Sequence, residues 1–204
     1  MIIDSLDKTI NLKIVYFGPA MSGKTTTLKA LFRHFGLNDQ VCSIESTVNR
    51  TLFFDYGTIT FQNKEWKLKQ HIYSTTGQDF YLITRPTTLK GVDGIIFVAD
   101  SQKNAYKRDL ISWNELTAYY KDDFVTMAKV IAFNKQDVPG KFETALFLDK
   151  IKIKELENVD LKYTIALNGE GVLDSFHSLL KLIFNNLYGC SFAPEKLELP
   201  KCNN

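Results

Sequence analysis

Gly18-Pro19-Ala20-Met21-Ser22-Gly23-Lys24-Thr25 fits the pattern G-x-x-x-x-G-K-[ST] at every position. Its flanks suit the motif. Leu12-Lys13-Ile14-Val15-Tyr16-Phe17 is apolar and β-branched, as a buried strand should be. Thr26 to Phe35 places Leu28, Leu31, Phe32 and Phe35 at helical spacing. In this strand–loop–helix setting Gly18 and Gly23 allow the backbone to turn successive N–H groups inward and form an anion nest. The helix beginning near Lys24 adds the positive end of its dipole. Lys24 can reach β and γ phosphates, and the Thr25 hydroxyl can ligate Mg²⁺.

Working outward, the chain alternates strand-like and helix-like stretches. Thr51 to Phe61 and Trp66 to Tyr73 read as a hairpin turning at Gln62 to Glu65. In its second arm Lys67, Lys69 and His71 alternate with Trp66, Leu68 and Ile72, which predicts a solvated face. Val92 to Ala99 and Met127 to Phe133 are near-continuous apolar runs, expected of strands covered on both sides. Leu161 to Ala166 reads as the last strand. Helices are predicted over Asn104 to Tyr120, Phe142 to Lys150 and Val172 to Tyr188. Gln40 to Arg50 has no sustained period and reads as a long connection. Met1 to Asn11 reads as an added strand or turn, with a short amphipathic, membrane-touching helix as the alternative. Together these predict an α/β fold, a mostly parallel central sheet with one antiparallel edge strand, flanked by helices.

Bulk properties narrow the function classes. The 204 residues, 45% of them apolar, suit one domain, and 25 basic against 23 acidic residues give no reason to invoke nucleic acid. Cys42, Cys190 and Cys202 are odd in number and widely spaced, which suits a reducing, cytoplasmic location. No secretory signal and no transmembrane-length run are visible. Lipidation is unsupported, since Ile2 stands where myristoylation needs glycine and Cys202 lies third from the end.

Asn134-Lys135-Gln136-Asp137 directly follows a buried apolar run. A carboxylate there can accept from N1–H and the 2-amino group of guanine. Adenine offers neither donor, and a site built on such bonds rejects the analogue lacking them by about 10⁴–10⁵.

With these motifs in place the chain resembles the Ras-like small GTPases over nearly its whole length. More closely, GPAMSGKTT, RTLFFD (Arg50 to Asp55), the T-G-Q stretch, LKGVDGIIFVADSQ (Leu89 to Gln102) and NKQD resemble the MglA-type gliding and cell-polarity GTPases. The resemblance implies a P-loop, small G-protein fold: a single G domain over 1–188 and a tail over 189–204. Within it lie a phosphate loop at 18–25, switch I at about 37–55 and switch II at about 74–90. It implies a GTP/GDP switch that hydrolyses GTP with Mg²⁺. Gly18, Ala20, Met21, Ser22, Gly23, Lys24, Thr25, Thr26 and Gly77 would line the phosphates. Asn134 and Lys135 would brace the base pocket and Asp137 would read the base. The backbone N–H of Ala166 would face the guanine O6, and Leu167 would wall the base, where the family uses S-A-K.

By the same resemblance Gln78 is the water-orienting glutamine, Thr51 the switch threonine on Mg²⁺ (with Thr47 as fallback), and Arg50 an arginine finger supplied in cis. One position departs from the family's D-x-x-G: counting back from Gly77, the aspartate is replaced by Ser74. The MglA type lacks it too. Asp55 is then the candidate carboxylate for Mg²⁺ through water, with a plain strand-end role as the alternative. The implied partners are a roadblock-fold, MglB-like activator and GTP-state effectors, with a role in polarity, motility or trafficking; a peripheral membrane contact stays open as an alternative. Two rivals stay open: a GTP-binding adaptor that hardly hydrolyses, and an ATP-using P-loop kinase.

Overall fold

The computed structural model describes residues 1–37, 40–44, 54–63, 65–75 and 85–188. Eight strands among them form one sheet: β1 (Ile2–Asp4), β2 (Thr9–Phe17), β3 (Cys42–Ile44), β4 (Phe54–Gln62), β5 (Lys67–Thr75), β6 (Gly94–Asp100), β7 (Ala128–Asn134) and β8 (Val159–Tyr163). Six helices accompany them: α1 (Lys24–His34), α2 (Arg85–Leu89), α3 (Tyr106–Tyr120), α4 (Asp123–Thr126), α5 (Thr144–Lys150) and α6 (Val172–Tyr188). The order is β3-β4-β5-β2-β6-β7-β8, with β1 on β2. From β5 to β8 every pairing is parallel. The early hairpin adds β4 antiparallel at one edge, paired from Phe54↔Thr75 to Gln62↔Lys67. The mixed α/β sheet is therefore the one the alternating pattern predicts.

Two three-residue strands extend it. β3 lies within the stretch that reads as a connection, and pairs antiparallel with β4. β1 folds back on β2 at Asn11 to Thr9, on the flank that β6 takes from Ile14 onward. Met1 to Asn11 is thus a hairpin rather than an amphipathic helix, and it leaves Leu6 almost fully exposed at its turn.

The sheet is covered on both sides. Leu12, Ile14, Ile72, Ile96, Val98 and Val130 face α1 and α6. Val15, Phe17, Ile95, Phe97, Ile131 and Phe133 face Trp113 and Leu116 of α3, Phe124 of α4 and Phe147 of α5. Strands with side chains buried on both faces read as unbroken apolar runs, and every residue of β6 and β7 is buried. Helix α1 stops as expected: Gly36 takes φ 70°, its N–H donates to the Arg33 carbonyl, and the Leu37 N–H returns to the Phe32 carbonyl.

His71 departs from the predicted solvated face. Lys67 and Lys69 are exposed, but His71 is half-buried, with ring nitrogens 2.9 Å from the Tyr56 hydroxyl and 3.3 Å from Asn11 Oδ1. Burial, then the nearby Lys69 charge, hold its pKa below the ordinary value. His177, half-buried on α6, is likewise held low by burial against the opposing pull of Asp174. No helix among the described residues is long and apolar enough to cross a membrane.

Candidate functional site

In an open parallel sheet ligands bind beyond the carboxyl ends of the strands. Here β2 ends at Phe17, β6 at Asp100, β7 at Asn134 and β8 at Tyr163, so the loops after them share one edge of the sheet. The phosphate loop follows β2. Gly18 takes φ 147°, and a Cβ there would stand 2.3 Å from the Val98 carbonyl oxygen. Gly23 takes φ 101° and opens α1, which then fixes its own first turn through Thr27: both the N–H and the hydroxyl of Thr27 donate to the Gly23 carbonyl. Lys24 is buried with its ammonium across the loop, donating to the carbonyls of Gly18 at 2.9 Å and Pro19 at 2.6 Å.

The next helical residue meets a carboxylate from another strand. Thr25 Oγ1 donates to Asp55 Oδ2 at 2.5 Å. Asp55 sits on β4 directly opposite Ser74 on β5, and Ser74 in turn lies beside Tyr16 on β2. The position at which the D-x-x-G pattern needs an acid is therefore a buried serine whose cross-strand neighbour is acidic. A hydroxyl and a carboxylate side by side are hard oxygen donors of the kind Mg²⁺ takes.

Asn134 joins three segments. Its Nδ2 donates to the Ser22 carbonyl of the phosphate loop at 2.8 Å, while its Oδ1 accepts from the Thr164 hydroxyl at 3.2 Å and the Ala166 N–H at 3.0 Å. The Ala166 N–H, which the resemblance directs at a base carbonyl, is thus donated to Asn134 here. Lys135 follows with φ 64°, a left-handed conformation that costs a non-glycine residue energy. Its ammonium donates to Asp100 Oδ2 at 2.7 Å. Gln136 braces the loop from behind, its Nε2 donating to Ser101 Oγ and the Phe133 carbonyl.

Gly23, Thr26, Asn134, Asp137, Ala166 and Leu167 line one pocket of about 390 Å³, with Met21, Lys135 and Gln102 on its walls. Asp137 is exposed at the lip and Leu167 stands 71% exposed on the opposite rim. Residues predicted from two separate motifs, at 18–25 and 134–137, meet in this space. Arg50, Thr51, Thr47, Gly77 and Gln78 lie outside the described residues, as do parts of both expected switch stretches and the tail at 189–204.

Sequence reading missed Asp100 and Asp109. Asp109, buried on α3, accepts the Asp100 N–H at 3.0 Å. Burial, opposed by that hydrogen bond, pushes its carboxyl up to about 8. An acid on the apolar face of a helix was the available signal.

The profile of the ADP-ribosylation factor family matches residues 1–183. The chain belongs to that family of small GTPases. It is 32% identical to the mutual gliding-motility protein MglA of Myxococcus xanthus, across 91% of this chain and 96% of that protein. Two Ras-related proteins of Arabidopsis thaliana are also similar: RABA3, 28% identical across 86% of this chain and 70% of its own, and RABA4b, 23% identical across 90% and 77%. As a family member this GTPase binds guanine nucleotide and hydrolyses GTP.

Proposed function

We propose that the GTPase works as a Mg²⁺-dependent switch whose phosphates lie on the loop 18–25 and whose base is read by Asp137. The observation that carries this reading is the Asn134 amide, which ties the phosphate loop to the loop after β8 and closes one pocket around both. Phosphoryl transfer leaves the protein little covalent chemistry, so catalysis rests on positioning and on charge neutralisation. The inward N–H groups and Lys24 supply positive charge to the phosphates. Thr25, with Asp55 beside it, would hold Mg²⁺, which when bound neutralises charge shared between the β and γ phosphates. Asp55 supports this role by replacing, from the neighbouring strand, the acid that Ser74 lacks. Thr51 would report the γ-phosphate, Gln78 would orient the attacking water, and Arg50 would reach the transferring phosphoryl group in cis.

The partner is proposed as a roadblock-fold activator that orders these residues and contributes none of its own, with effectors that bind the GTP form. A cytoplasmic role in polarity or motility follows from the likeness to the gliding-motility protein. Single-turnover hydrolysis of bound GTP at saturating Mg²⁺, with and without such an activator, tests the proposal. Stimulation that disappears in Arg50→Ala supports the cis arginine, because a well-placed finger is worth about 10³–10⁵ in rate. Equal stimulation in both proteins contradicts it, and absent hydrolysis under every condition leaves the adaptor reading.

A further inference from the structure

Lys135 reaches the pocket in a left-handed backbone conformation, and its ammonium is held by Asp100. Asp100 is itself buried at the last position of β6, with Oδ1 accepting the Gln102 N–H at 3.2 Å and Oδ2 accepting Lys135. Arg108 Nη2 approaches Oδ2 only to 3.9 Å and is half exposed. Behind Asp100 lies Asp109, fully buried on α3. One of its carboxyl oxygens accepts the Asp100 N–H, and the other has no hydrogen-bond partner among the described residues.

A buried carboxyl with an unpaired oxygen destabilises a fold. An apolar residue would serve α3 better at this position if packing were the only demand. The hydrogen bond Asp109 makes goes to the backbone of the residue that holds Lys135. That same residue is paired in register with Asn134, which stitches the phosphate loop to Ala166. We propose that Asp109 is a positioning residue for nucleotide retention, fixing Asp100 and through it Lys135 and Asn134 at the base pocket. The inference rests on the guanine-site reading above and assigns to α3, which does not line the pocket, control over how long nucleotide stays.

The test is release of a fluorescent GDP analogue from preloaded protein, chased with excess GDP. Asp109→Asn keeps an oxygen that accepts the Asp100 N–H, whereas Asp109→Leu keeps the branched skeleton with bulkier methyl groups and has no acceptor. Release is expected to be about tenfold faster or more in Asp109→Leu, and within about twofold of wild type in Asp109→Asn. Single-turnover hydrolysis of GTP already bound to Asp109→Leu should keep its wild-type rate. Wild-type release from Asp109→Leu overturns the inference, as does equal acceleration in both variants with hydrolysis falling in step. If Asp109→Leu does not fold, Asp100→Asn decides: it retains the backbone bond to Asp109, loses the carboxylate charge that holds Lys135, and must also release faster; a wild-type rate overturns the inference. A wild-type chain that retains no guanine nucleotide strikes down the site reading and this inference with it.

Discussion

Gly23 has no room for a side chain. A Cβ there would stand 2.2 Å from Asn134 Nδ2, the donor that reaches the Ser22 carbonyl. The left-handed φ of 101° adds a second objection to any other residue. Gly23→Ala is therefore expected to push Asn134 off the phosphate loop and weaken GDP binding by about tenfold or more, since a buried donor and acceptor both lose a partner. Calorimetric titration with GDP checks this, and wild-type affinity would contradict it. At this scale the sequence was most legible where a motif names residue types, as in GPAMSGKT and NKQD. It was least legible at Asp100 and Asp109, whose meeting depends on how α3 packs against the end of β6. Nothing local to either residue encodes that meeting. The Ala166 N–H shows the same limit: its partner, Asn134 Oδ1, is chosen by the approach of two loops.

Elements carry the site by where they end. β6, β7 and α6 were readable because long apolar runs and helical periodicity persist over 7 to 17 residues. β1 and β3 are three residues each, too short for any period to show, and only their pairing with β2 and β4 makes them strands. The far end of β7 has its own fastening. Lys129, buried in the strand, donates to the carbonyls of Val125 and Glu157 at 3.1 and 2.9 Å and lies over the Phe124 ring, so one ammonium ties α4 to the turn before β8. Burial, opposed by the Glu157 charge, brings its pKa down to about 8. Lys129→Met takes this donor from the Glu157 carbonyl and leaves the Val125 carbonyl only the Glu157 N–H, and is expected to cost about 1–3 kcal/mol in urea unfolding. Nucleotide affinity should be unaffected, because this end of the sheet is opposite the pocket.

At the scale of the molecule the described residues build two cores on the two sides of one sheet, the net charge is a near-neutral +2, and the loops carrying both sequence motifs leave the same edge. The buried Asp109 sets a global pH dependence. Its folded pKa, raised by burial from 3.8 to about 8, means that the native state keeps a proton the unfolded chain gives up. Its contribution to stability therefore falls as pH rises from about 4 to about 8 and is level above that. Asp109→Asn should flatten this slope in thermal melts taken across that range. An unchanged slope would show that the carboxyl is not buried as described.

The pocket beside the phosphate loop is proposed to select guanine through Asp137. Competition against labelled GDP tests it most directly. In the wild-type protein GDP and GTP should displace the label, while ATP should not at about a 10³-fold excess, because adenine lacks both donors that the carboxylate accepts. In Asp137→Asn preference should shift to xanthine nucleotides, whose 2-oxo group accepts from the amide. Strong displacement by ATP, or guanine selectivity retained in Asp137→Asn, would contradict that role for Asp137.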